Sequence, residues 1–273
     1  MLSEIKQDIN WRTAIFQILC LVLLFSTSVG YVDEKGKGSV IFQLLLDTGD
    51  GSLISKGDID GFELWSKGIS AYSSVIYPIL TSLCFSFSMY YEKRGARRNR
   101  LHREKRIRYC FVKVTGAVIS SGVIFMTAYL LLGLVIRIRM LSRFPVFSAN
   151  RKIILRCGLK LFYSFTYGMA LSLFFVIVSI FFDDRYELMC IPILIKYMVM
   201  ILSNRIGIMG AGSNGNTILQ HVSEVALNPE NLISNYSSLR EKVESITVAS
   251  SFYGISILLL YYRIKRDEKN GAI

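Results

Sequence analysis

The chain has 273 residues, of which 52% are hydrophobic and 19% charged, and its formal net charge is +12. A soluble domain carries about 25% charged residues, so this balance excludes an ordinary water-exposed globule and suits a polytopic membrane protein. The two histidines, His102 and His221, have no partner at ligand spacing, and the five cysteines (Cys20, Cys84, Cys110, Cys157 and Cys190) lack C-x-x-C spacing. The cysteines read as small hydrophobes, and neither a disulfide nor a metal site is expected.

In chain order, the leader "MLSEIKQDINWR" balances Glu4 and Asp8 against Lys6 and Arg12. An n-region without excess positive charge argues against a cleaved signal. With Leu2, Ile5 and Ile9 on one face and Trp11 at its end, the leader is predicted to be an interfacial helix. Six apolar stretches follow, at about 13–32, 69–91, 109–136, 161–182, 188–208 and 247–262. Each is roughly long enough, at about 1.5 Å per residue, to span a hydrocarbon core of about 30 Å. The fifth is the weakest, because Pro192 and Lys196 interrupt it. Its Leu, Ile and Val residues still give roughly −4 kcal/mol against about +3 for one central Lys, so it inserts marginally. All 20 acidic residues fall outside the stretches, as hydrocarbon demands. The predicted fold class is therefore all-α: one transmembrane domain over residues 1–273 with six spans.

The connections set the orientation. Residues 92–108, "EKRGARRNRLHREKRIR", hold nine basic and two acidic residues, which places this short loop in the cytoplasm. Six spans then put both termini inside, in keeping with the terminal "RIKRDEK", and put the glycine-rich acidic loop 33–68 outside. Residues 137–160, with seven basic and no acidic residues, must also lie outside. They either follow the outer headgroups or line an anion-attracting mouth. Moving them inside would make 109–136 a re-entrant loop, for which it is too long and too apolar.

The segment "RIGIMGAGSNGNTILQHV" contains G-x-G-x-x-G at Gly210, Gly212 and Gly215. A dinucleotide fold needs a parallel sheet around that turn, and residues 209–246 between two spans leave no room for one. The P-loop reading fails as well, since Asn216 stands where a phosphate-binding Lys is required. The glycines are read as a turn at the end of a span. After them "TILQHVSEVA" is predicted to form a short helix. A second helix, capped by Asn228 with Pro229 at its first position, carries Leu232, Tyr236, Leu239, Val243 and Ile246 at helical spacing. Residues 209–246 are thus expected to be an external helical hairpin. "DDRYE" (Asp183, Asp184, Glu187) reads as a polar turn rather than a Mg²⁺ site, because no second acidic cluster completes it.

The run "SLCFSFSMYYEKRGARRNRLHREKRIRYCFVKVTGAVISSGVIFMTAYLLLGL" resembles the region between the second and third spans of type-2 ABC exporter permeases. In that family an acidic residue leaves the span, then come a glycine, an apolar residue, a basic cluster, a Tyr and a Lys that opens the next span. Here these positions are Glu92, Gly95, Leu101, Arg103 to Arg108, Tyr109 and Lys113. The resemblance implies that the loop is a cytoplasmic coupling helix docked on a separate ATP-binding-cassette ATPase subunit, with Glu92, Gly95, Arg97, Arg98, Leu101 and Arg106 at the contact. It also implies a second permease subunit, the same or related, enclosing the pathway. The basic external loop and the short "DDRYE" turn depart from the family's usual pattern.

With no intact P-loop of its own, the chain needs such a partner for active transport. The expected function is a permease subunit of an ATP-driven exporter in a bacterial plasma membrane, moving an amphipathic or apolar substrate such as a peptide, lipid or drug. Lys196, Tyr77 and Phe85 are candidate pathway residues. Membrane lipid is an expected contact, whereas catalysis, a cofactor and nucleic acid are not. An ATP-independent sensor or accessory protein is the competing reading, and a required acidic or histidine residue would mark a membrane-embedded enzyme instead.

Overall fold

The computed structural model describes residues 11–32, 38–46, 61–69, 76–81, 105–139, 151–182 and 239–269, with Leu232 and individual positions from 184 to 205. Helix α1 (Trp11–Ser26) leads into a small antiparallel hairpin, β1 (Val29–Val32) and β2 (Gly38–Val40), in which Val29 pairs with Val40 and Val32 with Gly38. Two short helices follow, α2 (Ile41–Leu46) and α3 (Gly61–Ser66). The bulk of the bundle is α4 (Arg106–Arg139), α5 (Arg151–Phe181) and α6 (Leu239–Lys269). The protein is all-α apart from the hairpin among the described residues. Helices α4, α5 from Leu155, and α6 are each long and apolar enough to cross a membrane.

Several boundaries differ from those predicted. The first apolar stretch does not stay helical to residue 32. Ser26 and Thr27 turn their hydroxyls onto the carbonyls of Leu23 and Leu24, at 2.6 and 2.7 Å, and Ser28 N–H donates to Phe25 O, tightening and ending the last turn. Trp11 and Arg12, at the end of the predicted leader, already belong to α1. The described residues of the basic loop 137–160 are helical, since α4 runs through Arg137 and Arg139 and α5 already begins at Arg151. Arginine and lysine are good helix formers, and at a C-terminus such as that of α4 they complement the helix dipole. Leu239, Val243 and Ile246 belong to α6 itself, so the last helix begins within the range predicted for the second helix of the hairpin. The remainder of 209–238 except Leu232, the leader 1–10 and most of 69–91 lie outside the described residues. In the fifth stretch, the described positions between Cys190 and Arg205 are helical.

Apolar side chains fill the interior and also cover much of the outside, unlike in a soluble bundle. Ile15, Phe16, Leu19 and Leu23 of α1 face outward, as do Ile119, Val123, Leu130 and Leu134 of α4 and Ile255 and Leu258 of α6. Meanwhile Gln17, Lys113, Ser121, Ser164, Ser172 and Ser179 are buried. Water would expel the first set and solvate the second; hydrocarbon reverses both preferences. Most of the buried serines satisfy their hydroxyls on the preceding turn, for example Ser172 on Met169 O at 2.7 Å and Ser179 on Val176 O at 2.7 Å.

The helices have definite relative directions. Phe125, Ala128 and Tyr129 of α4 pack with Tyr167 and Ala170 of α5, and Tyr109, Val114 and Val118 pack with Leu173, Val176 and Ile180, so the two run antiparallel. Helix α6 runs parallel to α5: Ile246 joins the first cluster, and Leu260 and Ile264 join the second. The end of α1 meets Phe125 and Tyr129, and α3 packs on the same half of α4. The connection from Lys67 to Lys105 therefore joins opposite ends of the bundle, and so does that from Phe182 to Leu239.

The α4–α5 crossing is close because both helices present glycine. A Cβ on Gly168 would stand 2.7 Å from Phe125 Cβ, and 3.1 Å from both Gly122 Cα and Ser121 O. Backbone and Cβ atoms cannot rotate away, so added volume must separate the helices, at about 1–3 kcal/mol. At Gly254 of α6 an added methyl group would meet nothing within 4 Å, and alanine there gains helix propensity. Gly168→Ala is expected to lower the thermal unfolding midpoint in detergent, and Gly254→Ala to leave it unchanged or raise it. Equal effects would contradict the close crossing.

Candidate functional site

Two regions carry organised polar chemistry. The first is the end of the bundle at Arg106. Helix α4 begins with Arg106 and Arg108, has Lys105 just before it, and has no acidic residue in its first turn. Cations at a helix N-terminus oppose the dipole, and the compensating anion comes from another helix. Arg106 Nη2 pairs with Glu268 Oε2 at 2.8 Å, near the end of α6. One turn along α6, Arg263 pairs with Asp267 at 3.2 Å, and its Nη1 reaches Phe181 O, the last residue of α5, at 3.4 Å. The first turn of α4 and the last turns of α5 and α6 are thus tied together where the basic loop joins the bundle. Lys113 lies within this half of α4 and is 3% exposed, facing the bundle and not its outer surface.

The second region is a cavity of about 250 Å³ between α4, α5 and α6. Its walls include Val118 and Ile119 from α4, Met169 and Leu173 from α5, and Ile246 and Ala249 from α6, and Leu232 also borders it. It contains one prominent polar contact, the Thr115 Oγ1 to Tyr253 OH hydrogen bond of 2.6 Å between α4 and α6. Thr115 Oγ1 also lies 2.6 Å from Phe111 O, and the Ser250 hydroxyl donates to Ile246 O at 2.8 Å. The lining is thus an apolar surface whose polar groups are already engaged.

Of the residues singled out in the sequence, Arg106 stands at the first region, half-exposed and held by Glu268. Glu92, Gly95, Arg97, Arg98 and Leu101 lie outside the described residues, as do Lys196, Phe85 and the Gly210–Gly215 cluster. Tyr77 is fully buried in an aromatic cluster, edge-on to Phe25 at 5.5 Å, Phe125 at 5.4 Å and Tyr167 at 6.5 Å, and it does not line the cavity. Asp184 accepts from Tyr186 N–H at 3.3 Å, the contact of a polar turn. Among the described residues no group of three or more His, Cys, Asp or Glu is placed to hold a metal ion.

Sequence reasoning misses Arg263, Asp267 and Glu268 as structural partners. In the sequence the tail "RIKRDEK" registers as net charge, although the i, i+4 spacing of Arg263 and Asp267 is a recognisable helical pair. Glu268 cannot be matched to Arg106 without knowing that α4 and α6 run antiparallel. No protein-family model matches this chain, and no curated protein is significantly similar to it.

Because both partners are partly exposed, the Arg106–Glu268 pair contributes at most about 1 kcal/mol and is screened by salt. Glu268→Arg is expected to lower thermal stability slightly at low ionic strength, and adding Arg106→Glu to recover most of the loss. A double-mutant cycle with no coupling at low salt would show that the pair does not form.

Proposed function

We propose that this helical, membrane-spanning protein is the permease subunit of an ATP-driven exporter, with ATP hydrolysed by a separate subunit docked on residues 92–108. The observation that carries the reading is the tie at the Arg106 end. A basic loop that feeds directly into a long rigid helix, itself bridged by Glu268 and Arg263 to two others, can pass a partner's displacement to three helices at once. A loop serving only for topology or for lipid heads needs no such bridging.

Other features support the architecture. Helices α1, α4, α5 and α6, with two connections that join opposite ends of the bundle, accommodate six traverses. Arg106 and Arg137 are separated along α4 by about 46 Å at about 1.5 Å per residue, close to the about 40–45 Å of a bilayer with its headgroups. Positive-inside placement of residues 92–108 in a bacterial plasma membrane would then put both termini in the cytoplasm, with the β-hairpin, α2 and α3 outside. Two copies, or this chain with a related one, would enclose the pathway. The molecule moved would be amphipathic or apolar, such as a peptide, a lipid or a drug.

Purification of the full chain from its native membrane is expected to bring an ATP-binding-cassette ATPase with it. In vesicles containing both, reversing Arg97, Arg98 and Arg106 to Glu is expected to uncouple hydrolysis from transport, since like-charge juxtaposition at a docking surface costs several kcal/mol. Unchanged coupling, or a chain that works with no ATPase bound, would contradict the proposal and favour an ATP-independent sensor or accessory role.

A further inference from the structure

At the Trp65 end of the bundle an apolar face lies outside every predicted span. Helix α2, "IFQLLL", buries Ile41, Leu44 and Leu45, and a Cβ on Gly30 would meet Ile41 and Leu44 from α2 and Leu64 from α3. The opposite face carries Phe42 and Leu46, one turn apart and 49% and 57% exposed, as open as Leu134 on the outward stripe of α4 at 43%. A helix apolar on both faces belongs in a protein core or in a membrane, and not in water. The polar groups beside it are met within the chain. Strands β1 and β2 pair with one another, and Gln43 Oε1 accepts from Val40 N–H at 3.4 Å.

We infer that α2 is a wedge in the membrane surface, with Phe42 and Leu46 inserted among lipid acyl chains beside the end of α1. Two measures of depth carry the inference. Along α4, no charge intervenes between Lys113 and Arg137, about 35 Å at about 1.5 Å per residue, which matches a hydrocarbon core of about 30 Å. Ile41 N–H donates to Ser28 O at 2.9 Å, Ser28 Oγ donates to Gly68 O at 2.7 Å, and Gly68 stands against Leu132. Leu132 lies about 8 Å along α4 on the hydrocarbon side of Arg137, so α2 starts just inside the edge of the core. Along α1, the 16 residues from Trp11 to Ser26 reach about 24 Å and fall about 6 Å short of the core, which leaves the remainder to the hairpin and α2. Trp11 at the far end is 65% exposed, as an interfacial anchor is. Glu63 and Lys67 of α3, paired at 2.7 Å near the level of Gly68, are half-exposed and reach the headgroups by snorkelling. The level is therefore the boundary of acyl chains and headgroups, where an element polar on one side and apolar on the other is stable. The outward apolar surface of α4 continues through it at Leu130, Leu134 and Val135. The inference rests on the membrane-spanning reading alone, and neither on the ATPase nor on which side is cytoplasmic.

Phe42→Cys and Leu46→Cys, each labelled with bimane in a full-length chain whose five native cysteines are replaced, read the surroundings of this face in phosphatidylcholine vesicles. Lipids brominated near the glycerol end of their chains are expected to quench both about as strongly as Leu134→Cys, and soluble iodide to quench both at least about threefold less than Lys67→Cys. Phosphatidylcholine with a diazirine at the same chain position, applied to the wild type, is expected to label residues 41–46, a result that needs no substituted chain to fold. Iodide quenching at 42 and 46 equal to that at 67 would overturn the inference by putting the face in water. Quenching by neither agent would overturn it too, by showing the face covered with protein, whether residues 47–60 or a second copy. So would the absence of lipid label from 41–46.

Discussion

The glycine-to-glycine crossing of α4 and α5 is the contact on which the rest of the bundle is arranged. In hydrocarbon, apolar side chains gain nothing from leaving lipid for protein, so helices associate through close packing and hydrogen bonds. Gly122 and Gly168 allow the backbones to approach until Phe125 packs against the opposing helix. From that crossing, Phe125 meets Phe25, Tyr77 and Tyr167 at centroid distances of 5.2 to 5.4 Å, joining α1 and the helical turn at Tyr77 to the same centre. Helix α4 is thereby the shared wall of the assembly, touched by α1, α3, α5 and α6.

Its two ends are held by different physics. At the Arg139 end Trp65 stacks on Tyr129 at 4.7 Å and donates to Tyr129 O at 2.9 Å, while Tyr129 OH donates to Trp65 O at 3.1 Å. The indole fits because Gly133 leaves the space open; a Cβ there would lie 2.9 Å from the ring. These are buried, mutually satisfied hydrogen bonds, costly to break. Ser28 adds another, donating to Gly68 O at 2.7 Å, so that the hairpin, α3 and α4 form one piece. At the Arg106 end the ion pairs lie over a packed contact of Tyr109 and Cys110 with Ile180 and Ile264, so the ends of α4, α5 and α6 are joined there. Under the proposed function the ATPase would act at that end, on three helices held to one another.

Hydropathy makes the helices legible, but not their limits. The apolar run 109–136 announces α4, yet the helix extends to Arg106 and Arg139 because arginine ends a hydrophobic run without ending a helix. The same confusion turns residues 151–160 into a predicted loop. The hairpin strands at 29–32 and 38–40 are hidden: Val29 and Tyr31 merge into an apolar stretch, although the glycines in the sequence just beyond them are a residue type that favours turns. Trp65 gives a faint signal, an aromatic in a glycine-rich acidic loop, but its partner Tyr129 sits far along the chain and inside a span. Long-range pairs such as Trp65 with Tyr129 or Arg106 with Glu268 depend on helix direction and tilt, which local periodicity does not encode. Of the candidate site, the basic loop and its junction with α4 are visible from charge alone, whereas the cavity requires three helices to be placed together.

The central claim is that the Arg106 end faces the cytoplasm and the Trp65 end faces outward, with α4 crossing between them. Single cysteines at Lys105 and Lys67, in a chain whose five native cysteines are replaced, allow the most direct measurement: labelling by a membrane-impermeant maleimide in intact cells. The expected result is that the cysteine at 67 labels at once and the cysteine at 105 labels only after permeabilisation. Labelling of 105 in intact cells, or of both positions from one side, would contradict the account.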